Sequence, residues 1–437
     1  MRHDERHAGA RSGETARART LSLWMAAQII GMAGTRLINV AVPWFVLTTT
    51  RDPALAGVVA FAQMAPMVTV KALAGPMIDR VGPARVAVTC DLASCVAVAA
   101  VPLLYAADLL SWPLLLVVAA VEGTLRGPGD AAKYAMCPAL ANVHRLPLQR
   151  VTGLANTVDR IGSAMGAAFG GLVIAAVGAP TALVLSCATF AGAAALIGWG
   201  VGPVLARAVP AAPEPEPVGA RREGYWSSLR QGWVFWRRDA VLVAVTAMIA
   251  LTNLLDQAYL SVLVPEWAID GDHGAEIVGL LFGAMTGSAI IGSAIATAVG
   301  ERLPKLPTYV LGFTLAGAPR FLAIAADLPR PALVAVLVMC GVSSGFINPL
   351  VGAIIFARIP SAMVGRVSSL ITALCWVLMP FGGLFGGVLI RTVGVTAALA
   401  TCGVAYLVVT MAPVLVPAFR SLGNAAPEAP PTTPHEG

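Results

Sequence analysis

The chain has 437 residues, of which 57% are hydrophobic and only 12% charged, and its mean hydropathy is +0.79. Soluble domains carry about 25% charged residues, so a cytosolic or secreted globular enzyme is excluded. The net charge of +6 does not point to nucleic acid, because the charges sit in short blocks between long apolar runs, the pattern of membrane topology.

In chain order, residues 1–20 read as an arginine-rich cytoplasmic tail. The apolar stretch from Leu21 to Leu47 is too long for a signal-peptide core and reads as a first transmembrane helix. Charged interruptions divide the chain into twelve predicted spans: 21–48, 54–77, 85–106, 111–137, 150–177, 180–206, 239–265, 276–299, 307–327, 331–357, 364–392 and 395–418. Residues 21–206 form an N-terminal six-helix half and residues 239–420 a C-terminal one, with a disordered tail over 421–437. The fold class is all-α integral membrane, since no alternating strands of a barrel are visible.

Between the halves, residues 207–238 form a cytoplasmic linker. Pro210, Pro213, Pro215 and Pro217 stiffen it. Trp226, Leu229, Trp233 and Trp236 then recur at helical spacing beside Arg230, Arg237 and Arg238. They read either as an amphipathic helix on the cytoplasmic leaflet or as the start of span 7. The expected outer loops hold only Arg51, Arg330 and Arg391, whereas most other basic residues lie on the side of the N-terminus. Both termini are therefore expected in the cytoplasm of a cell inner (plasma) membrane protein.

The halves repeat. Arg150-Val-Thr-Gly-Leu154 matches Arg366-Val-Ser-Ser-Leu370, and Phe169-Gly-Gly-Leu-Val-Ile-Ala-Ala-Val-Gly178 matches Phe385-Gly-Gly-Val-Leu-Ile-Arg-Thr-Val-Gly394, at one constant offset. Asp79-Arg80-Val81 and Glu301-Arg302-Leu303 match less closely. Two parallel six-helix repeats suit a carrier that binds substrate between them and rocks around it.

Two motifs add to this. Between spans 2 and 3, Gly75, Asp79, Arg80 and Gly82 fit G-x-x-x-D-R-x-G. In span 5, Gly153, Gly162, Gly166, Gly170 and Gly171 fit g-x8-G-x3-G-P-x2-G-G except for Ala167 at the proline. Over nearly its whole length the chain resembles the major facilitator superfamily, and within it the twelve-helix bacterial exporters of drugs, macrolides and siderophores. The resemblance implies that Asp79 faces the start of span 11 near Gly365 and Arg366 and latches the outward-open state. Pro83 and Ala84 depart from the family's basic residues, and Arg85 stands in for them; the plain alternative is a basic cytoplasmic turn. The span 5 motif implies antiport. Gly162, Gly166 and Gly170 form a groove, for which Gly279, Gly283 and Gly287 of span 8 offer a partner.

A charge at membrane depth costs about 2.5–3.5 kcal/mol on insertion scales, so each instance needs a reason. In span 4, Glu122, Arg126 and Asp130 recur every fourth residue with Lys133 nearby, and alternate signs can pair along the helix. Glu122 lies about 16 Å of helical rise in from Ser111, near midplane. It reads either as a proton-titrating carboxyl regulated by Arg126 or as part of a static ladder. Arg36 of span 1 and Asp256 of span 7 sit at similar depth. They form either an ion pair across the central cavity or separate polar contacts with Asn39, Asn253 and Gln257. Asp91, Asp159 and Arg160 are expected to pair structurally, and Gly127-Pro-Gly129 to be a flexible point in span 4.

The seven cysteines (Cys90, Cys95, Cys137, Cys187, Cys340, Cys375 and Cys402) contain no C-x-x-C pair and read as apolar packing. No phosphate loop G-x-x-x-x-G-K-[ST] and no nucleophile–histidine–acid set occurs, so no enzyme activity, metal or cofactor is expected. The expected function is proton-coupled export of a small amphiphilic compound by a functional monomer, with protons and the lipid bilayer as partners and no nucleic acid. Glu122 or Asp256 carries the proton. The rivals are an uptake carrier or uniporter on the same fold and a transport-inactive membrane receptor or assembly partner.

Overall fold

The computed structural model describes residues 2–208, 225–299, 305–359 and 363–415. The proline-rich part of the linker, the Glu301-Arg302-Leu303 repeat and the C-terminal tail lie outside the described residues. So do the side chains of Trp226, Leu229, Gly365 and Arg366.

The described residues are helical throughout, apart from short turns. In the first half these are α1 (Arg2–Thr50), α2 (Pro53–Leu73), α3 (Gly75–Val81), α4 (Pro83–Ala106), α5 (Trp112–Ala135), α6 (Cys137–His144), α7 (Leu148–Val177), α8 (Ala179–Ala195) and α9 (Gly202–Ala208). After the linker come α10 (Tyr225–Arg238), α11 (Ala240–Ala258), α12 (Val264–Asp270), α13 (Ala275–Val299), α14 (Lys305–Ala325), α15 (Arg330–Arg358), α16 (Val364–Trp376), α17 (Met379–Val393) and α18 (Val395–Leu415). A π-helical stretch joins α8 to α9 (Leu196–Val201) and another joins α11 to α12 (Tyr259–Leu263).

Ten helical stretches among the described residues are long and apolar enough to cross a membrane. The charges of α5 exclude it from that set, and the apolar part of α18, Val395–Met411, is shorter.

Two boundaries differ from expectation. The N-terminal tail continues α1 as helix, as its Ala-, Arg- and Glu-rich composition allows. The expected span 2 ends at Leu73, where α3 begins on Gly75-Pro76. The Gly127-Pro-Gly129 segment does not break α5. A Cβ at Gly127 would lie 3.0 Å from the backbone nitrogen of Lys71, so this glycine lets α5 approach α2.

The same turns recur in the two halves. Gly178 (φ 78°) ends α7 and Gly394 (φ 83°) ends α17; each donates to the carbonyl four residues back, at 2.8 and 2.7 Å. The left-handed conformation there suits glycine, which has no Cβ to clash. Asp108 and Asp327 are also left-handed, and Leu109 N donates to Leu104 O as Leu328 N does to Ala323 O.

Packing is asymmetric along the bundle. At the end away from the N-terminus, one apolar core contains Val46 and Leu47 of the first half together with Val262 and Leu263 of the second. At the other end the cores are separate. One holds Trp24, Met136 and Val201, a second Val245 and Tyr309, and a third Leu242, Val367 and Ile371. α10 packs against α11 and α16; its Trp236 donates to Thr246 Oγ1 at 3.1 Å while Trp233 stays exposed. The helix is thus anchored to the second half by one face and leaves the other free.

Candidate functional site: a cleft lined by buried charge

α7 positions the glycine motif against two neighbours. Its groove receives α1: a Cβ at Gly166 would lie 2.6 Å from Ala33 O, and one at Gly162 2.8 Å from Ile29 O. The span 8 partner expected for this groove is therefore α1 instead. Only Gly171, one residue round the helix, meets α13, where its Cβ would lie 2.7 Å from the Cα of Gly279. Gly153 has open space around it, and Gly170 makes ordinary contact with Leu37.

In the first half, α4 and α5 bring a charge ladder together. Arg126 donates to Asp91 Oδ1 at 2.7 Å and to Asp130, and Lys133 pairs with Asp91 at 2.8 Å. Asp91, Arg126 and Lys133 are all buried. The Phe190 ring lies 4.5 Å from the guanidinium carbon of Arg126, a favourable face for a cation. Asp91, expected only as one of several structural charges, is the hub of this ladder.

Glu122 stands outside it. It is 3% exposed, and its Oε2 accepts from Gln63 Nε2 of α2 at 2.8 Å. Its Oε1 has no partner among the described residues. The expected pairing with Arg126 is not made, because Arg126 is already shared between Asp91 and Asp130. Glu122, Arg126, Gln63, Asn39 and Gln257 line one small cavity, to which α1, α2 and α5 contribute from one half and α11 from the other.

In the second half, Asp256 pairs with Arg320 of α14 and not with Arg36. Arg36 donates to Ser163 Oγ at 3.2 Å. Of the two readings of Arg36 and Asp256, the ion pair is not made, and each has a separate partner, Ser163 and Arg320. Similar depth in two helices does not fix which faces meet. The Arg320 guanidinium lies 4.7 Å from the Tyr259 ring, 5.2 Å from Phe321 and 5.7 Å from Tyr406. Asp256, Arg320, Asn253 and Tyr406, with Arg160 of α7 opposite, line a second, roomier cavity of about 210 Å³. Asn253 also donates to Cys375 O at 2.9 Å.

The latch residues behave differently. Gly82 (φ 95°) makes the turn between α3 and α4. Asp79, Arg80 and Arg85 are exposed, and Asp79 has no hydrogen bond or ion pair among the described residues. Gln63 and Arg320 were not singled out from sequence, yet each is a lone polar or charged residue inside an apolar run, the signal that marks membrane-depth function.

The family model of the Major Facilitator Superfamily matches residues 24–252 and 246–436. The chain belongs to this superfamily. It is a multi-pass plasma-membrane protein of a transporter family. It is similar to the multidrug efflux pump Tap of Mycobacterium tuberculosis and Mycobacterium bovis, 28% identical over 409 residues, covering 92% of this chain and 94% of the relative. Tap of Mycolicibacterium fortuitum is 26% identical over 414 residues, covering 93% and 98%. Among solved structures, a bacterial homolog of the human lysosomal transporter Spinster, in an inward-facing and unoccupied conformation, superposes with a TM-score of 0.68 at 14% identity. That match covers 95% of this chain and 99% of the other. The nucleoside transporter NupG gives 0.64 at 14% identity, covering 92% and 99%. These two likenesses concern the fold.

Proposed function

We propose that the chain exports small amphiphilic compounds, such as drugs or secondary metabolites, by proton antiport. The relatives named as multidrug efflux pumps support the direction and the substrate class. In this reading α5 and α18 complete twelve transmembrane helices in two parallel six-helix repeats, 21–206 and 239–420, with both termini cytoplasmic. The turns shared by Gly178 and Gly394, and by Asp108 and Asp327, support the repeat. The basic residues on the N-terminal side support the orientation. The separate cores at that end then correspond to a cleft open to the cytoplasm, the state in which a latch at Asp79 is released. One chain supplies both walls of the cleft, so a monomer suffices.

One observation carries the coupling. Asp91, Asp130 and Asp256 each bond to a cation, whereas Glu122 bonds only to an amide and keeps one oxygen without a partner. A proton can therefore come and go at Glu122 without breaking an ion pair. Protonation removes a charge from the wall between the halves, which shifts the balance between inward- and outward-open states.

The test uses vesicles containing the purified chain, with an imposed pH gradient and a substrate found by screening amphiphiles in a host lacking its own pumps. The wild-type protein should concentrate substrate. Glu122→Gln should lose uphill transport and retain downhill exchange, which moves no net proton. A Glu122→Gln variant that still concentrates substrate places the coupling elsewhere.

A further inference from the structure

Away from the cleft, the face of α10 that the bundle leaves free concentrates positive charge. The helix holds Arg230, Arg237 and Arg238 and no acid. Arg230, Val234 and Arg238 are four residues apart, so they share one face over about 12 Å of helical rise. With Gln231, Phe235 and Met363, the residue before α16, they line an open trough of about 540 Å³. The trough has a cation toward each end and an apolar stretch between.

These cations are not neutralised by the protein. Asp239, the next residue in the chain, is engaged elsewhere: it accepts from the backbone nitrogens of Val241 and Leu242 at 2.9 and 3.2 Å and from Arg358 at 3.0 Å. Arg230, Arg237 and Arg238 are exposed and make no ion pair among the described residues. The opposite face is fixed, because Trp236 donates to Thr246, and Phe235 and Trp236 pack on the core of Leu242 and Val367. Trp233, stacked on Trp236 at 4.9 Å, stays exposed beside the arginines. Only Asp239 separates α10 from the membrane-crossing helix that starts at Ala240. The trough is thus at headgroup depth, where tryptophan and arginine are at home. A guanidinium fork fits phosphate oxygens, and an apolar stretch beside it suits a lipid better than a hydrated free anion.

We propose that this trough binds an anionic phospholipid from the leaflet on the N-terminal side, one whose phosphate has no ammonium beside it. Arg230 and Arg238 hold the headgroup oxygens, while Val234, Phe235 and Met363 receive the glycerol and the first chain methylenes. The lipid then bridges α10 and the start of α16. The site is independent of the coupling at Glu122.

The test is native mass spectrometry of the full chain released from uncharged detergent micelles, read as the dissociation constant of the first bound lipid. The probes are dioleoyl phosphatidylglycerol and dioleoyl phosphatidylcholine, with inorganic phosphate as competitor. A basic residue near an anionic headgroup is worth about fivefold, so two arginines should give phosphatidylglycerol a preference of about 25-fold. Arg230→Gln combined with Arg238→Gln should erase it, and Arg230→Lys combined with Arg238→Lys should keep most of it. Arg145→Gln combined with Arg150→Gln removes two exposed charges elsewhere and should leave it unchanged. If the glutamine pair does not fold, Val234→Asp, at an exposed position between the arginines, gives the same reading. Equal affinity of the wild type for both lipids overturns the site, whether the trough is then empty or taken by an acidic protein segment. A preference that survives the glutamine pair, or that falls as far in the Arg145 and Arg150 variant, overturns its location. Displacement of the lipid by millimolar inorganic phosphate would make the trough a free-anion site and overturn the lipid.

Discussion

The two halves bury charge in opposite ways. The first half closes two cations against two carboxylates in a ladder between α4 and α5, then leaves Glu122 over, bonded to an amide. The second half makes two separate pairs, Arg358 with Asp239 and Asp256 with Arg320, and packs aromatic rings around the Arg320 guanidinium. Exposure differs as well: Glu122 is 3% exposed, whereas the Asp256 side chain is 33% exposed to its cavity. A closed ladder holds helices in register whatever the cleft does. A carboxyl left outside the ladder is free to answer to a proton or a ligand. Repeated folds thus need not repeat their chemistry, and among the described residues the first half buries Glu122 with no cation bonded to it.

The largest effect on the fold is expected from Arg126→Ala. It leaves Asp91, fully buried, with Lys133 alone and Asp130, half-buried, without its cation. Removing one partner of a buried pair costs about 3–5 kcal/mol. The purified variant should show a strongly lowered thermal unfolding midpoint, or fail to accumulate as a monodisperse species. A midpoint near that of the wild type would mean that the ladder does not hold α4 and α5 together.

Arg320→Ala should cost less, about 1–3 kcal/mol, because Asp256 can be solvated from its cavity. Arg320→Lys keeps the charge but not the planar group that lies among Tyr259, Phe321 and Tyr406, so it should recover only part of the loss. The comparison between halves is sharpened if the unfolding midpoints rank Arg126→Ala lowest, then Arg320→Ala, then Arg320→Lys. It breaks if Arg320→Ala is the more damaging of the two alanine variants.

Much of the architecture was legible because it lies along single helices. Apolar run length and arginine blocks locate the spans, and the four-residue spacing of Glu122, Arg126 and Asp130 puts them on one face of α5. The Asp79 motif and the glycine motif point to the superfamily. What sequence did not show was rotation about each helix axis. Arg36 and Asp256 match in depth but point to Ser163 and Arg320. Gly162 and Gly166 form a groove as their spacing implies, but α7 has two neighbours, and the groove faces α1 while Gly171 alone meets α13. Asp91 and Gln63 come from other helices than Glu122, so only packing reveals that one completes the ladder and the other caps the carboxyl it leaves out.

The smallest effect on the fold is expected from Glu122→Gln, and this variant separates structure from function most cleanly. The substitution preserves shape, and the new amide oxygen can accept from Gln63 as Oε2 does now at 2.8 Å. No ion pair is lost, since Arg126 is held by Asp91 and Asp130. The change in stability should therefore stay within about 1 kcal/mol, the net worth of one hydrogen bond. Unfolding of wild type and variant in the same detergent reads this directly. A neutral substitution in the fold that abolishes uphill export would assign Glu122 to coupling and the ladder to support. Suppose instead that Glu122→Gln destabilises the protein as much as Arg126→Ala. Glu122 would then be a member of the ladder in energetic terms, and the contrast with the second half would fail at the residue on which it depends.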